Sequence, residues 1–206
     1  MSVGRAVVGL SIVKAILAMA GMRWGKQMNQ SGSFTDRIVG VLRLVPTTYR
    51  EIARDTSALP QAAGVVALVA AASAIGGAGE GIKGAIGGAI GAIVWWVIFS
   101  VATWFVGTKL MGASDIGGGP GRMLRTSGFA QAPGILTVLG FIPLLGAIAA
   151  VIGGIWALIT GVMAVREALG VTTGKAIVTA VFAWVLVGLA FFLIALILGI
   201  GGWIFG

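Results

Sequence analysis

TSGFAQAPGILTVLGFIPLLGAIAAVIGGIWALITGVMAV, which extends from Thr126 to Val165, is the stretch that decides the fold. It contains no charged side chain and has Pro143 near its middle. At about 1.5 Å per residue, a helix of this length measures roughly 60 Å, enough for two crossings of a bilayer core of about 30 Å. Proline lacks a backbone donor and disfavours helix at the residue before it. The stretch therefore predicts a transmembrane helical hairpin that turns at Phe141-Ile142-Pro143.

The composition is that of an integral membrane protein. Hydrophobic residues make up 58% of the 206 and charged residues only 10%, whereas soluble domains carry about 25% charge. The chain has no cysteine and no histidine, which excludes disulfides, iron–sulfur clusters, the usual zinc sites and histidine-ligated haem. No metal or other cofactor is therefore expected. The formal net charge of +8 indicates basic cytoplasmic segments, and no nucleic-acid partner is expected.

Five membrane crossings are predicted from the apolar runs. They cover residues 59–78, 84–106, the two arms of the hairpin, and 176–198, so that residues 59–206 form the transmembrane domain. If the N-terminus is cytoplasmic, every basic residue except Lys83 lies on the cytoplasmic side, and the positive-inside rule then places the C-terminus outside. The expected fold is an all-α, polytopic membrane helical bundle of five transmembrane helices, preceded by an amphipathic or interfacial helical region.

Residues 1–33 are expected to form an interfacial helix and a basic linker. The apolar stretch from Val3 to Met22 is interrupted by Arg5 and Lys14. Because a lysine inside the uncharged core of a signal peptide is unusual, a cleaved signal is less favoured. A sixth span, with the lysine reaching to the interface, is the other alternative.

Residues 34–58 are predicted to form an amphipathic helical segment on the cytoplasmic side, broken at Pro46. Its apolar residues recur at spacings of three and four, and charged residues fall largely between them. At an anionic membrane each basic residue contributes about 1 kcal/mol of attraction. The predicted membrane-surface residues are Arg37, Arg43, Arg50 and Arg54. The alternative is that the segment packs on the protein itself, without touching lipid headgroups.

Small residues in the predicted spans indicate close helix packing. Two overlapping pairs at the start of the second span have the G-x-x-x-G spacing that lets helix backbones approach closely. A further glycine pair lies in the second arm of the hairpin. The predicted packing positions are Gly84, Gly87, Gly88, Gly91, Gly153 and Gly154.

Two adjacent tryptophans, Trp95 and Trp96, lie near the middle of the second span. Tryptophan is usually found at the membrane interfaces, so this depth is uncommon. Core packing is the favoured interpretation, and contact with a partner, a lipid or a buried ligand is the alternative.

Several short sequence motifs lie in and around the hairpin. They are Gly128-Phe129-Ala130-Gln131-Ala132-Pro133, Ile142-Pro143-Leu144-Leu145-Gly146, Ile155-Trp156, Val165-Arg166-Glu167-Ala168 and Gly174-Lys175-Ala176, with an upstream run from Arg37 to Pro46. Over about residues 34–198 the sequence resembles the Yip domain family of five-span membrane proteins. Eukaryotic members are partners of Rab-type GTPases in vesicle traffic. The chain lacks their Asp-Leu-Tyr-Gly-Pro-type segment and is more similar to prokaryotic relatives, which implies a prokaryotic cytoplasmic membrane.

The residues do not favour catalysis. The chain has six carboxylates, and none lies inside a predicted span, so no set of groups for acid–base or nucleophilic chemistry is expected. The favoured function is a non-enzymatic scaffold or interaction protein of the Yip type, which acts through helix packing and a basic cytoplasmic surface. Its expected partners are the lipid bilayer and either other membrane proteins or a second copy of the chain.

Two other functions are considered. The first is an accessory structural subunit of a larger membrane complex, for example a bioenergetic one, that holds lipid, quinone or carotenoid without ligating side chains. The second is a small-solute transporter, which would usually place ionisable residues at membrane depth. That hypothesis requires Glu80 and Lys83 to lie between helices and not in an external turn.

Overall fold

A computed structural model describes residues 32–113 and 119–205. Within these ranges the chain is helical and forms no strand, which confirms the all-α prediction. The elements are α1 Phe34–Leu42, α2 Pro46–Arg54, α3 Ala58–Gly77, a 3₁₀ turn Ala78–Glu80, α4 Ile82–Phe105 with a π-helical extension Val106–Leu110, α5 Gly119–Ala130, a 3₁₀ helix Ala132–Phe141, α6 Pro143–Leu169 and α7 Thr173–Phe205. The interfacial helix predicted for residues 1–33, with its alternatives, lies outside the described residues except for 32 and 33.

In the described part of the chain, four helices are long and apolar enough to cross a membrane. They are Ala58–Gly77, Ile82–Leu110, Leu144–Leu169 and Thr173–Ala190. Large apolar side chains are exposed along them, with exposed fractions of 76% for Ile82, 75% for Leu144 and 64% for Val185. Soluble proteins rarely expose apolar surface on this scale. The protein is therefore an integral membrane protein.

The amphipathic segment forms two short helices that break before Pro46. Ser33 caps α1 by accepting a hydrogen bond from the backbone N–H of Asp36 at 3.2 Å. Pro46 is the first residue of α2, a position where the missing N–H has no intrahelical partner to lose. The side chains of Tyr49 and Ile52 are fully buried in a cluster formed with α3, α5 and α6. The apolar face of α1 and α2 thus packs on the protein itself.

The first arm of the predicted hairpin is not one continuous α-helix. α5 ends at Ala130, and the narrower 3₁₀ helix begins at Ala132. Pro133 lies in the first turn of that 3₁₀ helix, where it has no N–H to continue the hydrogen bonding of α5. The first arm of the hairpin is therefore divided at Pro133, a break that the apolar pattern of this stretch does not show.

The broken arm, made of α5 and the 3₁₀ helix, runs along α3 for nearly the whole length of that helix. At three places a Cβ added to a glycine of the arm would crowd α3: Gly128 against Ala62 at 2.8 Å, Gly134 against Val69 at 2.9 Å and Gly140 against Gly76 at 3.2 Å. A Cβ on Gly76 would in turn overlap the carbonyl oxygen of Thr137. The two segments therefore approach to backbone contact and run in the same direction.

The chain reverses at Ile142, whose backbone is extended with φ −108° and ψ 107°, and Pro143 begins α6. This is where the sequence places the hairpin turn. α6 then packs back along the broken arm, where the Thr160 hydroxyl donates a hydrogen bond to the carbonyl of Ala130 at 2.7 Å. Gly170 ends α6 with φ 64°, in the left-handed region that glycine adopts without strain.

Candidate functional site

Arg37 fastens α1 to α2 and to α3. Its Nη1 donates to Gln61 Oε1 at 2.9 Å, its Nη2 donates to Glu51 Oε1 at 2.9 Å, and Nη2 also contacts the carboxylate of Asp55. Only 4% of the residue is exposed. A buried guanidinium must be paired, and here the two carboxylates and the amide provide that pairing. Arg37 therefore lies inside the protein, not at the membrane surface where the sequence analysis places it.

The hydrogen bonds of this network shift the pKa values of Arg37 and Asp55, and burial shifts that of the nearby Tyr49. Burial lowers the pKa of Arg37, but hydrogen bonds to Glu51 and Asp55 outweigh that effect, and the pKa is raised overall. Hydrogen bonds from Ser57, and then from Arg37, lower the pKa of Asp55 to about 2. Burial raises the pKa of the Tyr49 phenol. Near neutral pH Arg37 is thus protonated and Asp55 is ionised, as their ion pair requires.

Two further polar contacts join α2 to the bundle. Arg50 Nε donates to Glu167 Oε2 at 2.6 Å, and Arg166 Nε lies 3.4 Å from the other oxygen of that carboxylate. Arg125, on α5, donates from Nη2 to the carbonyl of Ala53 at 2.8 Å. With the Arg37 contacts, these bonds attach the α1–α2 pair to α3, α5 and α6.

A basic surface lies beside these contacts. Arg50, Arg54 and Arg122 line a depression of about 350 Å³, together with Glu167. This surface, the arginine face, consists of those three arginines. The Arg50 side chain is 49% exposed, and Arg54 is exposed, as is Arg43 at the end of α1. Of the four arginines predicted for the membrane surface, three are thus accessible from outside the protein.

The predicted glycine pairs of α4 differ in what they face. A Cβ on Gly88 would lie 2.7 Å from a backbone carbonyl oxygen of α3, and a Cβ on Gly77 would lie 2.6 Å from the carbonyl oxygen of Gly84. A Cβ on either residue of the other pair, Gly87 and Gly91, would meet no atom of residues 32–113 and 119–205 within 4 Å. One pair therefore packs α4 on α3, and the other pair is open to the outside.

The glycine pair of α6 divides in the same way. A Cβ on Gly153 would lie 3.4 Å from the carbonyl oxygen of Pro133, so this glycine faces the 3₁₀ helix. A Cβ on Gly154 would meet no atom of the described residues within 4 Å, and this glycine borders a cavity. Of the two, Gly153 is thus the packing position among the residues that the structure describes.

Trp95 and Trp96 lie in different surroundings. Trp96 packs against the core cluster of α1, α2, α3, α5 and α6, and its Nε1 donates to the carbonyl of Leu124 at 2.9 Å. Trp95 stacks on Phe99 with ring centroids 5.6 Å apart and meets the edge of Trp184, on α7, at 5.1 Å. Trp96 is thus a packing residue, and Trp95 belongs to an aromatic group.

That aromatic group lines a cavity of about 550 Å³ between α4, α5, α6 and α7. This space, the aromatic cavity, is otherwise bordered mainly by glycine, alanine and aliphatic side chains. Two polar side chains also border it, Ser127 and Gln131. The Ser127 hydroxyl is hydrogen-bonded to a serine of α4 at 2.6 Å. The Gln131 amide makes no hydrogen bond to any side chain or backbone group in residues 32–113 and 119–205.

The titratable side chains are not arranged as a metal centre in the part of the chain that the structure describes, where no three of His, Cys, Asp or Glu are grouped to hold an ion. Lys83 is exposed in the first turn of α4. Because it does not lie between helices, it gives no support to the transporter hypothesis.

The sequence matches the family model of the Yip1 domain over residues 39–195. The chain belongs to the Yip1 domain family. No curated protein and no solved structure matches it. The match covers the arginine face and the whole aromatic cavity, whereas Arg37 lies just before the matched range. The family resemblance seen in the short elements around the hairpin is thereby confirmed.

Several residues that form the ion pairs and the aromatic cavity of this Yip1 domain were not predicted from the sequence. Glu51, Asp55 and Glu167 were not recognised as ion-pair partners, although their spacing to arginines on an amphipathic segment is a usable signal. Gln131 and Trp184 were not identified as neighbours of Trp95. A glutamine inside a long apolar run is the signal that was available for Gln131, because amides are uncommon at that depth without a partner.

Proposed function

We propose that this Yip1 domain protein is a non-enzymatic membrane scaffold or interaction protein that acts through helix packing and its basic surface. The observation that carries the proposal is the attachment of α1 and α2 to three other helices, which leaves Arg43 and Arg54 exposed. A surface held in place before binding loses little conformational freedom when a partner docks. The fitting partners are anionic lipid headgroups and acidic segments of other membrane proteins or of a second copy.

The test is purification of the full chain from its own membranes in mild detergent, with identification of everything that is recovered with it. We expect the double variant Arg43→Glu/Arg54→Glu to recover at most a tenth of the partner that the unmodified protein recovers. Lys83→Glu is the matched control, because it reverses an exposed charge at the other end of α3 and α4. Equal recovery by the double variant and the control would overturn the proposal.

We also infer that the broken arm crosses the membrane, which gives five crossings in total. Its twelve α-helical residues and ten 3₁₀ residues would span about 38 Å if they were collinear. Its course along α3 from Ala62 to Gly76 supports this inference. With the positive-inside rule, the proposed topology has a cytoplasmic N-terminus and an external C-terminus, in a prokaryotic cytoplasmic membrane.

This topology is testable because the chain contains no cysteine. Single substitutions Thr47→Cys and Lys83→Cys place one thiol at each end of the bundle, at residues that are both exposed. In intact cells with a permeable outer envelope, an impermeant maleimide is expected to label position 83 and to label position 47 only after lysis. Labelling of position 47 in intact cells would contradict the orientation. A C-terminal thiol labelled only after lysis would contradict the count of five crossings.

A second candidate is an accessory subunit of a larger membrane complex. It is favoured by the open glycine pair Gly87 and Gly91 on α4, whose missing side chains leave space for a neighbouring helix. Native electrophoresis of mildly solubilised membranes separates the two functions. Migration as a free monomer or small homo-oligomer argues against the accessory subunit, whereas stoichiometric migration with a larger pigmented or haem-bearing complex argues against the independent scaffold.

A further inference from the structure

The volume of the aromatic cavity is much smaller than that of a membrane-spanning helix. A helix about 10 Å in diameter, with a rise of 1.5 Å per residue, fills roughly 120 Å³ per residue. The cavity volume of about 550 Å³ therefore corresponds to less than two turns of helix, far from a membrane-spanning segment. It is, however, in the range of pockets that hold small molecules, about 300–1,000 Å³.

The space exists because α6 presents glycines to it. Gly154 and Gly161 both border the cavity, and they are seven residues apart, so they lie on one face of α6 two turns from each other. Within the part of the chain that the structure describes, a Cβ on either glycine would meet no atom within 4 Å. These glycines do not bring two helices together, as Gly76 and Gly88 do, but leave a gap between α4, α6 and α7.

Three hydrogen-bonding groups also border the gap. The Gln131 amide and the indole N–H groups of Trp95 and Trp184 have no hydrogen-bond partner in the part of the chain that the structure describes. In the hydrocarbon region no water is available to hydrogen-bond to such groups, and each group left without a hydrogen bond costs free energy. A ligand oxygen would accept from them, and the flat rings of Trp95, Phe99 and Trp184 would contact a flat ring.

We propose that the aromatic cavity binds a lipid-soluble ring compound that carries a carbonyl or hydroxyl oxygen, the chemical class to which isoprenoid quinones belong. The ring lies among the three aromatic side chains, and its oxygen accepts a hydrogen bond from Gln131. The apolar tail leaves along α7, where Val181 and Val185 border the cavity and are 54% and 64% exposed. This site is independent of whatever partner the arginine face binds.

The experiment uses the full chain in phospholipid nanodiscs and a benzoquinone with a decyl tail as the probe. Quinone rings in contact with tryptophan quench its fluorescence, so we expect saturable quenching. Gly161→Leu places a side chain in the cavity and is expected to weaken the affinity at least tenfold. Gly91→Leu is the matched control, since it fills an equally open position outside the cavity, and it is expected to leave the affinity unchanged. Equal affinities in the two variants would overturn the site.

A second variant tests the ligand class. Gln131→Leu keeps a side chain of similar size and removes the amide, so the loss of one hydrogen bond is expected to weaken the quinone about fivefold. A phospholipid with brominated acyl chains is the competing probe, because bromine also quenches tryptophan. If Gln131→Leu has no effect and the brominated lipid displaces the quinone, the cavity is an acyl-chain site and the proposal is overturned. Elution volume and helical circular dichroism verify that each variant is folded.

Discussion

The arginine face and the aromatic cavity belong to one bundle but are built in opposite ways. Beside the arginine face, charged side chains are bonded to residues far away in the sequence, as Arg50 is to Glu167. At the cavity, space remains because Gly154 and Gly161 have no side chains to fill it. The comparison indicates that polar contacts attach α1 and α2 to the bundle, whereas absent side chains leave the space of the cavity. The predictions below vary one kind of feature at a time.

The largest effect on stability is expected at a glycine that lets two helical segments touch, not at one that leaves a gap between them. In Gly76→Leu the new Cβ would overlap the Thr137 carbonyl oxygen, and a backbone atom cannot rotate away. We expect a loss of at least about 3 kcal/mol and a fall in melting temperature of at least about 6 °C. Thermal unfolding of the purified protein measures this. A melting temperature equal to that of the unmodified protein would show that the broken arm does not lie against α3.

The next largest effect is expected at the buried arginine. Arg37→Met removes hydrogen bonds to Glu51, Asp55 and Gln61, and bonds to charged groups contribute about 1.5–3 kcal/mol. We expect the melting temperature to fall by about 6 °C. Arg43→Met is the control, because an exposed arginine without such contacts should change stability by less than about 0.5 kcal/mol. Similar melting temperatures for the two variants would argue against the buried network.

A smaller effect is expected from acid. Asp55 has its pKa lowered to about 2 from the ordinary 3.8, so its contribution to stability is fully present above pH 4 and is lost as the pH falls towards 2. The stability difference between the unmodified protein and Asp55→Asn should therefore shrink over that window. The measurement is the melting temperature of both proteins from pH 5 to pH 2. A difference that stays constant over this range would contradict the lowered pKa.

The smallest effect, and one of opposite sign, is expected in the cavity wall. Gly161→Leu introduces a better helix former by about 0.8–1 kcal/mol at a position where a Cβ meets no atom of the described segments within 4 Å. The melting temperature should stay constant or rise by about 1–3 °C, in contrast to Gly76→Leu. A clear fall would show that the cavity is already closed by neighbouring side chains.

Features that depend on a single segment could be predicted from the sequence. The helical class, the break before Pro46 and the long apolar helices follow from periodicity and composition along one stretch. The end of α5 at Ala130 was missed, although Gln131-Ala132-Pro133 carries a local signal for it.

Features that depend on which segments are neighbours in the folded protein could not be predicted from the sequence. Arg37 was placed at the surface because the pattern of α1 alone puts it on a polar face. Its burial depends on Gln61, which is 24 residues further along the chain. The aromatic cavity likewise requires α4 and α7 to be neighbours before Trp95 and Trp184 can be seen to meet. Two tryptophans at depth were noticed, but their different roles follow only from the packing.

The ion pair between Arg50 and Glu167 has a consequence for how the protein is made. The two residues are 117 positions apart, and at about 5–20 residues per second the ribosome needs roughly 6–23 s to reach the second after the first. During that interval α1 and α2 have already been synthesised, but α6, on which they pack, has not. Until α6 is made, the amphipathic pair can pack only on α3 and α5, so its attachment to the bundle is completed late in synthesis.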